Sequence, residues 1–377
     1  MNLSETKTTP DNLISQQSAE DLLAELRQQI DDLDSQVLHL LNQRMEVVKQ
    51  VGELKRSNNA LIYRPEREKF IVDRLETLSA GLLNRKAIEA IFLEIFAVSR
   101  NIELPERIAY LGPDGSFTHQ AAESRFGAMS EYLAMGNIRS IFESVETERA
   151  RFGIVPVENN QEGSVNETID LLAEMDVKIV AEILMPIHFT FASKSDKLSE
   201  IDIIYSKDIA FRQCKKFLSE YFEDRYIEQV PVESTSRAAK LASENPRSAA
   251  LCSHIAAKLF EVPILFDNVE DSQINTTRFL ILGKNFVNQQ SGNDKTSLVA
   301  NLPDTDQPGS LFNFLAEFNS RGINITKIDS RPIRKEGKFW SWFYLDFEGH
   351  YADENVQEIF KKYQPYLKWV GSYAKLS

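Results

Sequence analysis

From Ala19 to about Ile102 the chain holds one proline, Pro65. Ahead of it Leu26, Ile30, Leu33, Val37 and Leu41 recur at helical spacing, and Val48 and Val51 continue the stripe. That run predicts one helix of about ten turns. A second helix follows Pro65, and a third runs from about Arg85 to Ile102. The expected organisation is a flexible tail over 1–19 and an all-α domain over 20–105.

From Arg107 the pattern changes. Short apolar strands alternate with helices: RIAYLG then FTHQAAESRF, FGIVPV then VNETIDLLAEM, IDIIYS then FRQCKKFL, YIEQVPVE then SRAAKLA. Such alternation predicts a mostly parallel α/β sheet over 106–283. Residues 284–296 read as a polar linker. The remainder, 297–377, reads strand, helix, strand, strand, helix, strand, a βαββαβ ferredoxin-like unit. The fold expected is therefore multidomain.

Composition narrows the function. A formal charge of −13 argues against non-specific nucleic-acid binding, and any anionic ligand must be captured by local Arg and Lys. No apolar run reaches bilayer length, so no membrane partner is expected. The N-terminus lacks an apolar signal core, and Cys214 and Cys252 form neither a metal nor a redox spacing. A reducing, cytoplasmic setting is the default. Walker, GxGxxG and HExxH motifs are absent and the five histidines are scattered. No cofactor and no metal are expected.

In the helical region Arg44 interrupts the apolar stripe. Lys55 lies eleven residues on, about 20° round the axis and about 16 Å along it. The two cations share a face and could converge on a small anion. Arg27 lies about 100° from Arg44 on the same wheel and could serve a site in a second chain. Ser99 and Glu103 share a face of the third helix. Taken singly, each is a charge snorkelling at a helix edge; together they suggest a site. LRQQIDDLDSQVLHLLNQRMEVVKQVGELK, YRPERE and SRNIE resemble an all-helical chorismate mutase domain. The resemblance implies that Arg27, Arg44 and Arg67 engage the two carboxylates of chorismate. It implies that Lys55 and Glu103 hydrogen-bond the ether oxygen, Glu68 orients the ring hydroxyl and Ser99 assists binding. Arg64, also placed at the substrate, stands where the family often has Asp. Glu103 stands where Gln can occur, so it must carry a proton to donate. The rearrangement needs no nucleophile, only a folded substrate and stabilised charge on the ether oxygen.

In the α/β region three strand–loop–helix junctions, GPDGSFTHQ, PVENNQEGSVNET and ESTSRAA, carry small polar residues where helices start. Any one is an ordinary cap. Three at alternating strand ends suggest a cleft for carboxylates. With the TTRF of QINTTRFLIL, these segments resemble prephenate dehydratases in the family's order, from about Arg107 to Leu282. The resemblance implies two α/β subdomains with prephenate between them. Thr277 would help the ring hydroxyl leave, and Arg278 would bind a carboxylate. Ser116, Glu158, Asn159, Asn160, Ser234, Thr235 and Phe279 would line the site. A departure is Ser206-Lys207-Asp208-Ile209 where the family often has Ser-His-Pro-Gln; Gln213-Cys214 is kept, and no role is given to that segment.

Near the C-terminus Gly309-Ser310-Leu311 and Asp329-Ser330-Arg331-Pro332 resemble the Gly-Ala-Leu and Glu-Ser-Arg-Pro motifs of the regulatory ACT domain fused to such dehydratases. The implied ligand is L-phenylalanine, a feedback inhibitor bound at a dimer interface. The bland alternative is a dimerisation domain with Arg331 in a surface ion pair. The expected protein is a homodimer or higher homo-oligomer that converts chorismate to prephenate and prephenate to phenylpyruvate. Two competing readings are a mutase fused to a non-catalytic two-lobed sensor and a mutase with a dead dehydratase.

Overall fold

The computed structural model describes residues 10–57, 64–103, 106–223, 225–272, 274–303, 307–335 and 338–375. The chain divides into two compact units, one of residues 1–62 and 102–104, the other of 63–101 and 105–377. The first is dominated by α1 (Pro10–Ser57), 48 residues long. The helix therefore starts well ahead of Ala19, and what remains of the expected tail, 1–9, lies outside the described residues. Along α1, Leu26, Ile30, Leu33 and Val37 are between 48% and 57% exposed.

The second unit opens with α2 (Pro65–Leu78) and most of α3 (Arg85–Glu103). Pro65 sits in the first turn of α2, where a missing N–H costs nothing. Val72, Ile88 and Phe96 make a small core. Arg100 of α3 donates to the Arg125 and Phe126 carbonyls at 3.3 Å. These two helices thus group with the α/β region, a division that differs from a single 20–105 domain.

The first lobe comprises β1 (Arg107–Leu111), α4 (Phe117–Phe126), β2 (Glu131–Met135), α5 (Ile138–Glu146), β3 (Phe152–Asn159), β4 (Gly163–Ser164), α6 (Asn166–Glu174) and β5 (Lys178–Pro186). The second comprises β6 (Thr190–Ser193), β7 (Ile203–Ser206), α7 (Asp208–Gln213), α8 (Lys215–Phe222), β8 (Glu228–Pro231), α9 (Thr235–Glu244), β9 (Ser248–Cys252), α10 (His254–Leu259) and β10 (Ile264–Phe266). The chain then returns to the first lobe as β11 (Thr276–Gly283). The sheet orders are β2-β1-β3-β11-β5, with β4 on β3, and β10-β6-β9-β7-β8. Both sheets are mixed, not parallel throughout: β11 runs antiparallel to β3 and β5, and β6 to β9. Where the chain crosses between lobes the two passes are tied together, Ile187 N to Asn275 O at 2.8 Å and Val269 N to Phe189 O at 3.0 Å.

The C-terminal region is β12 (Asp294–Ala300), α11 (Ser310–Ser320), β13 (Ile325–Lys335), β14 (Lys338–Glu348), α12 (Glu354–Lys362) and β15 (Leu367–Ala374), the expected element order. Its antiparallel sheet runs β13-β14-β12-β15. One face holds its own core of Phe314, Phe318, Leu345 and Ile359. The other shares a core with the first lobe, where Trp342, Tyr344, Val370 and Tyr373 join Val155, Ile179, Leu280 and Leu282. The approach is close enough that a side chain on Gly371 would put its Cβ 2.3 Å from the Ile179 carbonyl oxygen. The expected linker is packed rather than loose: Asn288 is buried and donates to Val180 O and Ser372 O at 2.7 and 2.8 Å.

Candidate active sites

Within the first unit, Lys55 Nζ donates to Glu103 Oε2 at 2.8 Å. Arg44 is half-buried on the same helix; burial lowers its pKa, and nearby Glu103 opposes that. The three groups read together from the sequence are thus gathered. Gly52 makes the approach possible, since a Cβ there would lie 3.1 Å from Glu103 Cα. In this arrangement Glu103 accepts a hydrogen bond rather than donating one. Arg27 lies on an exposed stretch of α1.

Within the second unit, Glu68 is held by Arg100 and lies 3.6 Å from Arg125 Nη2. Ser99 is buried and donates to Ile95 O at 2.6 Å. Arg67 is exposed over the Phe70 ring. Arg64 turns to protein partners, Glu66 at 2.7 Å and Gln289 at 2.5 Å.

The best-defined polar cluster sits where β3 ends beside the start of β11. Asn159 and Thr277 are register partners. Asn159 Nδ2 donates to Thr277 Oγ1 at 2.8 Å and lies 2.9 Å from Asn275 Oδ1. Its Oδ1 accepts from the backbone N–H groups of Gln161 and Glu162 at 2.9 and 3.0 Å. Those two bonds fix which end of the carboxamide faces Thr277. Since Thr277 Oγ1 accepts from Asn159, its own hydrogen is directed elsewhere. Asn160 staples the incoming segment, accepting from Thr276 N at 3.1 Å and donating to Ile274 O. The second lobe reaches this cluster through Gln213, which donates to Gln161 Oε1 at 2.8 Å and accepts from Asn275 Nδ2 at 3.4 Å. Sequence reasoning gave Gln213 no role; the kept Gln213-Cys214 pair was the available signal.

The capped loops converge as well. Ser116 caps α4 and Ser234 caps α9, each accepting from a backbone N–H at 3.2 and 3.0 Å. Thr235 is buried in the first turn of α9. Ser236 of α9 donates to Asp114 O, and Ser253, which caps α10, donates to Gly115 O at 2.6 Å. Gly115 has φ +80°, and a Cβ there would meet Ser236 Oγ at 2.9 Å, so only glycine seats this loop on the second lobe.

The chain matches the prephenate dehydratase family over residues 108–286 and the type II chorismate mutase family over 26–104. It is 39% identical to the bifunctional chorismate mutase/prephenate dehydratase of Aquifex aeolicus, over 94% of this chain and 98% of that one. The enzyme of the same name from Stutzerimonas stutzeri is 35% identical, over 95% and 99%. The chain belongs to the bifunctional chorismate mutase/prephenate dehydratases. It thus carries an isomerase and a lyase. Among solved structures, the prephenate dehydratase of Arthrobacter aurescens in complex with L-Phe superposes with a TM-score of 0.64 at 31% identity, covering 71% of this chain and 90% of that one.

Several positions carried over from the dehydratases and their regulatory domain are placed differently from expectation. Arg278 does not share the Thr277 cluster. Neighbouring strand residues point to opposite faces, and the Arg278 guanidinium is taken up by Glu182, Asp346 and Tyr373. Phe279 is 2% exposed and belongs to the core rather than to an open pocket. Glu158 pairs with Lys327 of β13 at 2.9 Å. Lys327 also lies 3.0 Å from Asp329, whose carboxylate accepts from Ser164 Oγ at 3.0 Å. Arg331 forms a two-pronged pair with Asp170 of α6 at 2.8 and 2.7 Å. Lys327, Asp329 and Arg331, spaced by two along β13, all face the dehydratase lobe, while Ser330 and Pro332 are exposed. Gly309 takes the left-handed conformation (φ +90°) before α11, Ser310 Oγ donates to Pro303 O at 3.2 Å, and Leu311 packs against the C-terminal core. Among the described residues, no helix is long and apolar enough to cross a membrane.

Proposed function

We propose that prephenate is dehydrated and decarboxylated at Thr277, and that Asn159 tunes it. The observation carrying this reading is the Asn159 Nδ2 to Thr277 Oγ1 bond of 2.8 Å. With its lone pair engaged, Thr277 directs its O–H at the ring hydroxyl of prephenate. That hydroxyl takes the Thr277 proton and leaves as water, the ring–carboxylate bond breaks to release carbon dioxide, its electron pair completes the aromatic ring of phenylpyruvate, and Thr277 regains a proton from solvent. Glu158, Asn160, Ser116, Ser234 and Thr235 border the cleft that orients the substrate. Chorismate rearranges at Lys55, Arg44 and Glu103, where Lys55 stabilises charge on the ether oxygen and Arg44 engages a carboxylate. Glu103 must exchange its bond with Lys55 for a proton before it can donate there. The remaining mutase assignments, Arg27, Arg64, Arg67, Glu68 and Ser99, rest on the family resemblance.

Assays on both substrates test this. Thr277→Val should lower dehydratase turnover by about 10²–10⁴-fold, the scale of a positioned proton donor, with mutase unchanged. Lys55→Ala should do the reverse, by about 10²-fold. Loss of both activities in either variant would refute separate sites.

L-phenylalanine acts as feedback inhibitor at an ACT-like, ferredoxin-like C-terminal domain that carries Gly309–Leu311 and Asp329–Pro332. In support, the Arthrobacter aurescens relative was solved with L-Phe. The working unit is a homodimer or higher homo-oligomer, with a second copy covering the exposed stripe of Leu26, Ile30, Leu33 and Val37. A monomer by sedimentation at assay concentration would refute it. A cytoplasmic setting fits a biosynthetic enzyme of this kind.

A further inference from the structure

Arg278 is 8% exposed and sits in a cluster built from two domains. Its Nε donates to Glu182 Oε2 at 2.7 Å, one terminal nitrogen to Asp346 Oδ2 at 2.5 Å, and the other to Tyr373 OH at 2.9 Å. Glu182 comes from β5, Asp346 from β14 and Tyr373 from β15. Lys295 of β12 donates to both Glu182 oxygens at 2.8 Å. Ser297 donates to Asp346 Oδ1 at 2.6 Å and lies 2.9 Å from Tyr373 OH. Two cations face two carboxylates, so the charges close within the cluster. Burial alone would lower the pKa of Arg278, but facing Tyr373, Asp346, Tyr344 and Glu182 raise it. All three guanidinium nitrogens are held by protein groups. The cluster lies one residue from Thr277, just before a bulge in the β11–β3 pairing.

We propose that Arg278 is a positioning residue of the dehydratase, and that Asp346 and Tyr373, from the C-terminal domain, complete the clamp that sets where Thr277 presents its hydroxyl. This rests on Thr277 being the proton donor. The planar guanidinium fixes the backbone of β11 through three bonds in three directions. Shifting a reacting group by about 1 Å can lower turnover by about 10²-fold. The C-terminal sheet is then part of the dehydratase machinery as well as the seat of regulation.

The test uses the full chain and steady-state kinetics on prephenate and chorismate. Tyr373→Phe keeps the ring in the shared core and removes only the hydroxyl. It should lower dehydratase kcat by about 10-fold, with KM for prephenate within about twofold and mutase kinetics unchanged. Arg278→Lys keeps the charge but loses the fork, and should lower kcat further at similar KM. Unchanged kcat in Tyr373→Phe overturns the proposal. A raised KM with kcat retained in Arg278→Lys also overturns it, because that is the signature of a lost substrate contact. Should Arg278→Lys fail to fold by circular dichroism, Tyr373→Phe decides alone. Thr277→Val, run in parallel, separates the two readings: retained turnover there removes the proton donor itself, whereas lost turnover there with an unaffected Tyr373→Phe removes only the clamp.

Discussion

At the residue scale the proposed dehydratase site turns on which atom of Asn159 meets Thr277. Asn159→Asp keeps the shape and can still accept from Gln161 and Glu162 N–H. It cannot donate to Thr277, so the hydroxyl would turn and donate to the carboxylate. Turnover on prephenate should fall by about 10²-fold or more with mutase intact; wild-type turnover in this variant would dissociate Asn159 from catalysis. Gly52 poses the matching case in the mutase. Gly52→Ala would place a Cβ 3.1 Å from Glu103 Cα, pushing Glu103 off Lys55. Chorismate turnover should drop about 10-fold or more while dehydratase kinetics hold. The sequence named Thr277 and Lys55 as candidates through short motifs and helical spacing. It could not show that Asn159 is the partner of Thr277, because 118 residues separate them and only the sheet register brings them together. Arg278 misled for the same reason: adjacency in sequence became opposition across a strand.

At the element scale the loop from Gly112 to Ser116 depends on His119. His119 Nδ1 accepts from Gly115 N at 3.0 Å, and the ring stacks on Tyr110 at 4.6 Å. Burial lowers the His119 pKa from its ordinary 6.5, against the pull of Asp114 and Glu123. The ring is therefore held neutral in the fold, whereas the unfolded chain takes up the proton first as pH falls. The stability it contributes is complete above about 6.5 and drains away below that value, through the folded-state pKa. His119→Gln should melt below wild type near pH 7.5, and the gap should narrow near pH 5.5; a gap independent of pH would refute a neutral, half-buried ring. Elements as such were readable: strand–helix alternation and the C-terminal strand–helix order match the fold. The antiparallel return of β11 was not, because direction is set by where the chain re-enters the first lobe and not by the composition of Thr276–Gly283.

At the scale of the whole molecule the domains are less separable than their order suggests. The polar composition of 284–296 reads as a tether, yet Asn288 is buried in it. Trp342, Tyr344, Val370 and Tyr373 complete the core under Val155 and Leu280. A chain ended before Lys295 probes that shared core directly. Truncation there uncovers the shared core and takes Asp346 and Tyr373 from Arg278 and Lys295 from Glu182, leaving only the Arg278–Glu182 pair. The truncated chain should aggregate or lack dehydratase activity, as light scattering and a prephenate assay would report; a soluble, active product would show that the lobes stand alone. Sequence patterns cannot reveal such a weld, because the same alternation serves a strand face buried by a second domain and one buried by its own helices.

Gly371 carries the consequence further. With the Ile179 carbonyl where its side chain would be, β15 and β5 fit as a lock and its key. A substitution on either face therefore constrains the other. A recombination event importing a foreign C-terminal half should succeed only if the donor also brings glycine at that position and partners for Arg278 where Asp346 and Tyr373 stand. Chimeras cut between the lobes and the C-terminal sheet should fail unless both faces are exchanged as a pair.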